Sequence, residues 1–284
     1  MKRQPCLMVV HAHPDDEVFS TGGIIARYSA AGYRVVVVYA TNGEAGEMHD
    51  PDLDPADAIP RLGEIRQEEA RRACAILGAT DIYFLGYRDS GMRDTEENKH
   101  SDAFMNVPLQ QAVDQLLGIM RDTYPDVLVT YDTDGGYGHP DHVQTHQLGV
   151  AAFEQAQGEP WAPRKLYYSA RSRESFAKYL KQLAAMGVQV PWVREDFNIE
   201  EFGMPDAEIT AHVDISRFTP LKKRALAEHR TQIKGDHFYL SIPDETLSES
   251  SGTETFLRIQ PPAEGKREED DLFAGLDERG EQVA

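Results

Sequence analysis

Five short stretches of the chain are apolar on both faces: CLMVVHA (6–12), RVVVVYAT (34–41), DIYFLGY (81–87), DVLVTYD (126–132) and KLYYSA (165–170). Between them, residues 22–31, 59–77, 109–123 and 142–155 carry apolar side chains at helical spacing. Runs buried on both faces are strands of a covered sheet, and strand–helix alternation predicts an α/β fold with a doubly wound, mostly parallel sheet and right-handed crossovers. After residue 170 the pattern loosens to one strand signal, ITAHVDI (209–215), and one helix, Pro220–His229, followed by the proline-rich, charged PPAEGKREEDD (261–271). The expected organisation is a sheet domain over 1–170, a smaller C-terminal cap over 171–260 lining the pocket, and a charged flexible tail over 261–284 with Leu272 and Phe273 as docking points.

In a parallel sheet, ligands bind beyond the carboxyl ends of the strands. Four polar loops leave those ends: HAHPDDE (11–17), TNGEAGE (41–47), RDSG (88–91) and DTDGGYGHPDH (132–142). The first and last each hold a histidine followed by proline, with a second ligand-type residue three positions on: His13 and Asp16, His139 and His142. Catalytic zinc takes three protein ligands from imidazole and carboxylate and leaves one position open, and His13, Asp16 and His142 meet that count. Two histidines and one carboxylate also suit iron(II). Asp15 is then free to accept a proton from water, while a protonated His139, oriented by Asp141, can stabilise an oxyanion or donate to a leaving amine.

The plain alternatives are that His11 is a structural hydrogen-bonding residue and that Asp15 or Asp16 caps a helix, worth about 1 kcal/mol. A non-catalytic sugar- or nucleotide-binding module would need a glycine-rich phosphate turn after the first strand. TGG (21–23) falls inside the next helix and lacks that spacing.

The 29 Lys+Arg against 48 Asp+Glu give a formal net charge of -19, which argues against a nucleic-acid partner and for a small-molecule substrate. Cys6 and Cys74 lie in an apolar run and a helical pattern, so neither a disulfide framework nor a thiolate metal site is expected. No run approaches the roughly twenty apolar residues of a membrane span, which places the expected protein in the cytoplasm, away from membranes, with homo-oligomerisation left open.

HAHPDDE together with GGYGHPDH resembles the PIG-L/LmbE-like family of zinc-dependent N-deacetylases, and within it the mycothiol branch of N-acetylglucosaminyl-inositol deacetylase and mycothiol S-conjugate amidase. The likeness runs from about residue 5 to 170 through TNGEAGE, RLGEIRQEE and YRDSGM, and resumes at HRTQI (229–233) and DDLFAGL (270–276). It implies a Rossmann-like domain that hydrolyses an N-acyl amide on a glucosamine-containing substrate with one zinc per subunit. It also implies metal ligands at His13, Asp16 and His142, a base at Asp15, a cationic His139 tuned by Asp141, and a mobile hydroxyl at Tyr137. Sugar-binding roles fall on Arg61 and Asp89, with Glu44 and Glu47 lining the pocket. The motifs do not separate deacetylase from amidase, nor exclude another amino sugar or sugar-linked thiol precursor as substrate.

Overall fold

In the computed structural model, which describes residues 3–188, 190, 193, 198–199, 203–263 and 269–276, β1 (Cys6–His11), β2 (Arg34–Thr41), β3 (Asp81–Tyr87), β4 (Val127–Thr130) and β5 (Lys165–Ala170) form the parallel part of one sheet. With β6 (Ala211–Asp214) and β7 (Thr253–Gln260) the sheet has seven strands in the order β3-β2-β1-β4-β5-β7-β6. The two-residue period of a strand divides its side chains between two cores. Leu7, Val9, Val35, Val37, Val127 and Val129 belong to the cluster that includes residues of α1 (Asp16–Ala30), α3 (Leu62–Leu77) and α7 (Thr219–Leu226). Cys6, Met8, Val10, Val36, Val38 and Leu128 belong to the opposite cluster, with α4 (Leu109–Thr123) and α5 (Pro140–Ala156). Cys6 and Cys74 are free and buried, and burial pushes the Cys6 thiol up to about 12.

Two of the helices, α1 and α5, start earlier than their apolar spacing announces. α1 begins at Asp16 rather than Gly22, because its first turn is acidic and faces the site. The 59–77 window divides into α3 and a preceding 3₁₀ turn, Ile59–Arg61, which follows the short α2 (Pro55–Ala58). The glycines of TGG serve packing: a Cβ on Gly23 would stand 2.6 Å from Ile215 Cβ.

Strand β7 has no counterpart in the sequence expectation. It pairs antiparallel with β5 on one side and β6 on the other, extending the sheet with residues expected in the cap. Charges interrupt its apolar pattern, and the structure neutralises them. Glu254 accepts from the Gly23 and Ile24 amides at 2.8 Å each and from Lys222 Nζ at 2.7 Å. Arg258 reaches Glu269 at 2.5 Å, where Lys165 Nζ (2.9 Å) and Tyr167 OH (2.6 Å) also donate. Glu269 thus ties part of the expected tail to the sheet, and Leu272 and Phe273 are buried beside it, Phe273 against Tyr28 and Tyr33. Apart from the two main cores, α6 (Arg173–Ala185) and α9 (Asp244–Ser250) build a small separate apolar cluster around Leu183, Ile242 and Leu247, which the short α8 (Phe238–Ser241) helps to cover.

Candidate metal centre

β1 and β4 are neighbours in the sheet, yet the chain visits β2 and β3 between them, so the loops after β1 and β4 open a crevice at the point where strand order reverses. That topology brings residues 13–16 and 132–142 together. Gly135 makes the second loop fit: its φ is +64°, and a Cβ there would lie 2.4 Å from His142 Cβ. The close approach lets the Gly135 carbonyl accept from His142 Nδ1 at 2.9 Å.

Three atoms face one another in the crevice. His13 Nδ1 lies 3.2 Å from Asp16 Oδ2 and 3.2 Å from His142 Nε2, and His142 Nε2 lies 3.3 Å from Asp16 Oδ2. The opposite nitrogen of each ring is engaged by an acceptor, His142 Nδ1 by the Gly135 carbonyl and His13 Nε2 by Asp141 Oδ2 at 3.1 Å. Carbonyl and carboxylate oxygens only accept, so those nitrogens carry the ring protons and the other two turn lone pairs toward Asp16. Two lone pairs and a carboxylate oxygen facing each other require positive charge between them. Burial opposes a charged His13, but Asp89, Asp141 and Asp16 outweigh it and raise its pKa well above the usual value, so the surroundings favour positive charge at this point. A tetrahedral ion about 2.0–2.1 Å from its ligands sets them about 3.3–3.4 Å apart, close to the triangle observed. The donor set therefore fits a dication.

Asp15 stands at the N-cap of α1 without capping it. Its φ is 128° with ψ at -27°, a conformation that a side chain disfavours. Arg66 NH2 lies 3.3 Å from Asp15 Oδ2 and donates to the Pro14 carbonyl at 2.7 Å, while NH1 donates to the Gly43 carbonyl at 2.5 Å. Burial raises the Asp15 carboxyl to about 6 against the opposing pull of Arg66. The Asp15 amide donates to Glu17 Oε2 at 3.0 Å, and Glu17 Oε1 is 2.8 Å from His229 Nε2. Asp16 is held by the His13 amide and the Tyr131 hydroxyl, both at 2.8 Å.

Two expectations change here. His139 is the N-cap of α5, with Nδ1 accepting from the Asp141 amide at 3.1 Å, and burial together with His13 pushes its pKa down to about 4. With Nδ1 accepting, the ring holds its N–H on Nε2, and burial disfavours the cation expected of it. Asp141 does not orient it through its carboxylate. That carboxylate is fully buried and accepts from His13 Nε2 and from both Ser90 N (2.9 Å) and Ser90 Oγ, while the bond to His139 is made by the Asp141 backbone amide.

Tyr137 is 60 % exposed on the glycine-rich loop with its hydroxyl 3.5 Å from His142 Nε2. Asp89 is buried, with Oδ1 3.7 Å from His13 Nε2 and accepting from Gly91 N at 2.8 Å. Glu44 is half-buried with Oε2 unpaired among the described residues, and burial raises its pKa. Arg61 and Glu47 are not drawn into the cluster: Arg61 pairs with Glu64 at 3.0 Å on the exposed start of α3, and the exposed Glu47 pairs with His49 at 3.0 Å. His11 is the structural residue anticipated, bonded to Thr21 Oγ1 at 2.8 Å and kept neutral by burial, its pKa lowered to about 4.

Residues 8–153 match the family described as "PIG-L: GlcNAc-PI de-N-acetylase". A 1D-myo-inositol 2-acetamido-2-deoxy-alpha-D-glucopyranoside deacetylase of Acidothermus cellulolyticus is 41% identical over 280 residues, 95% of each chain. One of the same description from Saccharomonospora viridis is 41% identical over 276 residues, covering 95% of this chain and all of that one. The chain belongs to the PIG-L family. Its relatives are deacetylases, and this PIG-L protein is accordingly a hydrolase of amide bonds. Among solved structures it resembles N,N'-diacetylchitobiose deacetylase of Pyrococcus horikoshii (23% identity, TM-score 0.57, 89% of this chain and 83% of that one). It equally resembles the 4-carboxy-2-hydroxymuconate hydratase of Pseudomonas putida (19% identity, TM-score 0.57, 92% and 98%), so the fold alone does not select the reaction.

Around the cluster stand groups that the motifs did not single out: Arg66, Glu17, Ser90, Tyr131 and His229. Arg66 sits within RLGEIRQEE, where only burial separates it from the exposed Arg61, and burial of single residues on a charged helix is not written in its pattern. HRTQI contained His229, but nothing local ties it to a loop more than 200 residues earlier.

Proposed function

We propose that the protein removes the N-acetyl group of 1D-myo-inositol 2-acetamido-2-deoxy-alpha-D-glucopyranoside, with His13, Asp16 and His142 holding a zinc ion. The observation that carries the metal assignment is the triangle of His13 Nδ1, Asp16 Oδ2 and His142 Nε2 with edges of 3.2–3.3 Å and both opposite ring nitrogens committed to acceptors. Support for the substrate is the description shared by relatives 37–41% identical over 94–95% of this chain.

Zinc held there would supply Lewis acidity, polarising the acyl oxygen and making water at the site a stronger acid. Asp15, ionised above about pH 6 and steadied by Arg66, takes the proton from water as its oxygen bonds to the acyl carbon. The neutral His139 donates from Nε2 to the developing oxyanion, with the Tyr137 hydroxyl as a second donor. Collapse breaks the carbon–nitrogen bond, and the proton held by Asp15 passes to the departing amine, giving acetate and the free amino sugar. Of the four residues expected to bind the sugar, Asp89 stands beside His13 and is kept in that role with Glu44, whereas Arg61 and Glu47 are engaged with Glu64 and His49 and are given none.

Purified zinc-loaded protein should release acetate from N-acetylglucosaminyl-inositol faster than it cleaves a bimane-type thiol conjugate; the reverse order would transfer it to the amidase reading. Asp15→Ala should keep its metal and lose turnover, whereas His142→Ala should lose the metal.

A further inference from the structure

The strained backbone of Asp15 has a support that comes from the far end of the chain. His229 follows α7, and its side chain, like that of Glu17, is fully buried. Its Nε2 meets Glu17 Oε1 at 2.8 Å, and its Nδ1 has no hydrogen-bond partner among the described residues. The other oxygen of Glu17 accepts the Asp15 amide at 3.0 Å. A hydrocarbon side chain would fill the same interior without the cost of burying an imidazole, so the cost is met by what the bond accomplishes.

We propose that His229 is a positioning residue for Asp15, acting through Glu17 to hold the Asp15 backbone at positive φ and so aim its carboxylate into the crevice. The proposal rests on the reading of Asp15 as proton acceptor. Division of labour supports it: Arg66 grips the carboxylate and the Pro14 and Gly43 carbonyls, whereas Glu17 grips the Asp15 amide. The HRTQI segment is itself pinned to the helix that carries Arg66. Thr231 donates from N (2.9 Å) and Oγ1 (2.6 Å) to the two oxygens of Glu69, three residues after Arg66. Thr231 O accepts from His49 N at 2.8 Å, and Gln232 Nε2 donates to the Glu47 carbonyl at 2.7 Å, so the segment also braces the loop after β2. Released from Glu17, Asp15 would relax toward ordinary φ and its carboxylate would swing off its line.

The test uses the full-length protein carrying His229→Leu, His229→Gln, Asp15→Asn, and His229→Leu with Asp15→Asn, read by zinc content, kcat, KM and hydrogen exchange of the Asp15 amide. His229→Leu should lower kcat about ten- to hundredfold, as loss of an orienting partner does, with zinc content unchanged and KM within about twofold. His229→Gln, whose amide can still donate to Glu17, should recover most of that loss. In the Asp15→Asn background the leucine change should cost less than about twofold, because the two act as one unit. Exchange at the Asp15 amide should speed up at least about tenfold in the leucine variant and not in the glutamine one. Equal losses in both backgrounds, or an Asp15 amide indifferent to His229→Leu, would overturn the proposal. If Asp15→Asn keeps full turnover, the proton-acceptor reading falls by itself, while the exchange measurement still decides whether His229 holds Asp15. Should His229→Leu not fold, His229→Asn, too short to reach Glu17, takes its place in every comparison.

Discussion

Replacing Asp141 by asparagine alters no atom of the His13, Asp16 and His142 triangle, yet it should weaken metal binding. The carboxylate receives three donors, His13 Nε2 at 3.1 Å, Ser90 N at 2.9 Å and Ser90 Oγ, from a fully buried position. An amide offers one oxygen and one NH₂ group. Oδ2 takes both His13 Nε2 and Ser90 N while Oδ1 takes Ser90 Oγ, so an amide oxygen kept at the first place turns the NH₂ against the Ser90 hydroxyl, and the opposite flip turns it against His13 Nε2–H and Ser90 N–H; either way a donor meets a donor and the negative charge behind His13 is lost. A buried donor left unpaired costs about 1–3 kcal/mol, which at about 1.4 kcal/mol per factor of ten is roughly five- to 150-fold in affinity. That range agrees with the 10–100-fold typical of losing an orienting partner behind a metal-ligating histidine. Zinc competition against a chromogenic chelator measures it, with thermal melting of the metal-free protein as the control for folding. A folded Asp141→Asn variant that binds zinc within about twofold of the wild type would refute the claim that the Asp141 carboxylate supports a metal through His13.

Adding zinc to the metal-free protein should raise its melting temperature, because an ion at about 100 times its Kd stabilises by about 2.7 kcal/mol; His142→Ala should show no such rise. Glu269→Ala should destabilise by about 3–5 kcal/mol in urea unfolding, since it strands the largely buried Lys165 and Arg258 without their shared partner. The Glu17–His229 pair gives a pH signature in the metal-free protein. Interaction with the histidine lowers the Glu17 pKa below its usual 4.5 despite burial, so its contribution is present above that value and fades as pH falls through the lowered one. His229 is raised above its usual 6.5 by Glu17 against the effect of burial, so its contribution is complete below 6.5 and fades as pH rises through the raised value. The stability gap between wild type and His229→Gln should therefore peak between about pH 4.5 and 6.5 and shrink on either side; a gap flat from pH 4 to 9 would count against an ionised pair.

The sequence by itself determined the α/β alternation and the location of the chemistry. Runs such as CLMVVH and RVVVVYAT are apolar on both faces, and only a covered sheet makes use of that, so polar clusters at their carboxyl ends had one place to go. The pairing of His13–Asp16 with His139–His142 was legible for the same reason, since residue type and spacing are local facts. Tertiary structure alone decided which atom each residue presents. Asp141 meets His13 rather than His139, and His139 is neutral, because those outcomes depend on where Ser90 N, Gly135 O and the start of α5 come to lie. It alone admitted β7, whose Glu254 and Arg258 read as solvent-facing until Lys222 and Glu269 arrive from elsewhere to neutralise them. It alone separated Arg66 from Arg61 and joined His229 to Asp15, because burial and long-range hydrogen bonds follow from how the elements pack, and no period along the chain encodes them.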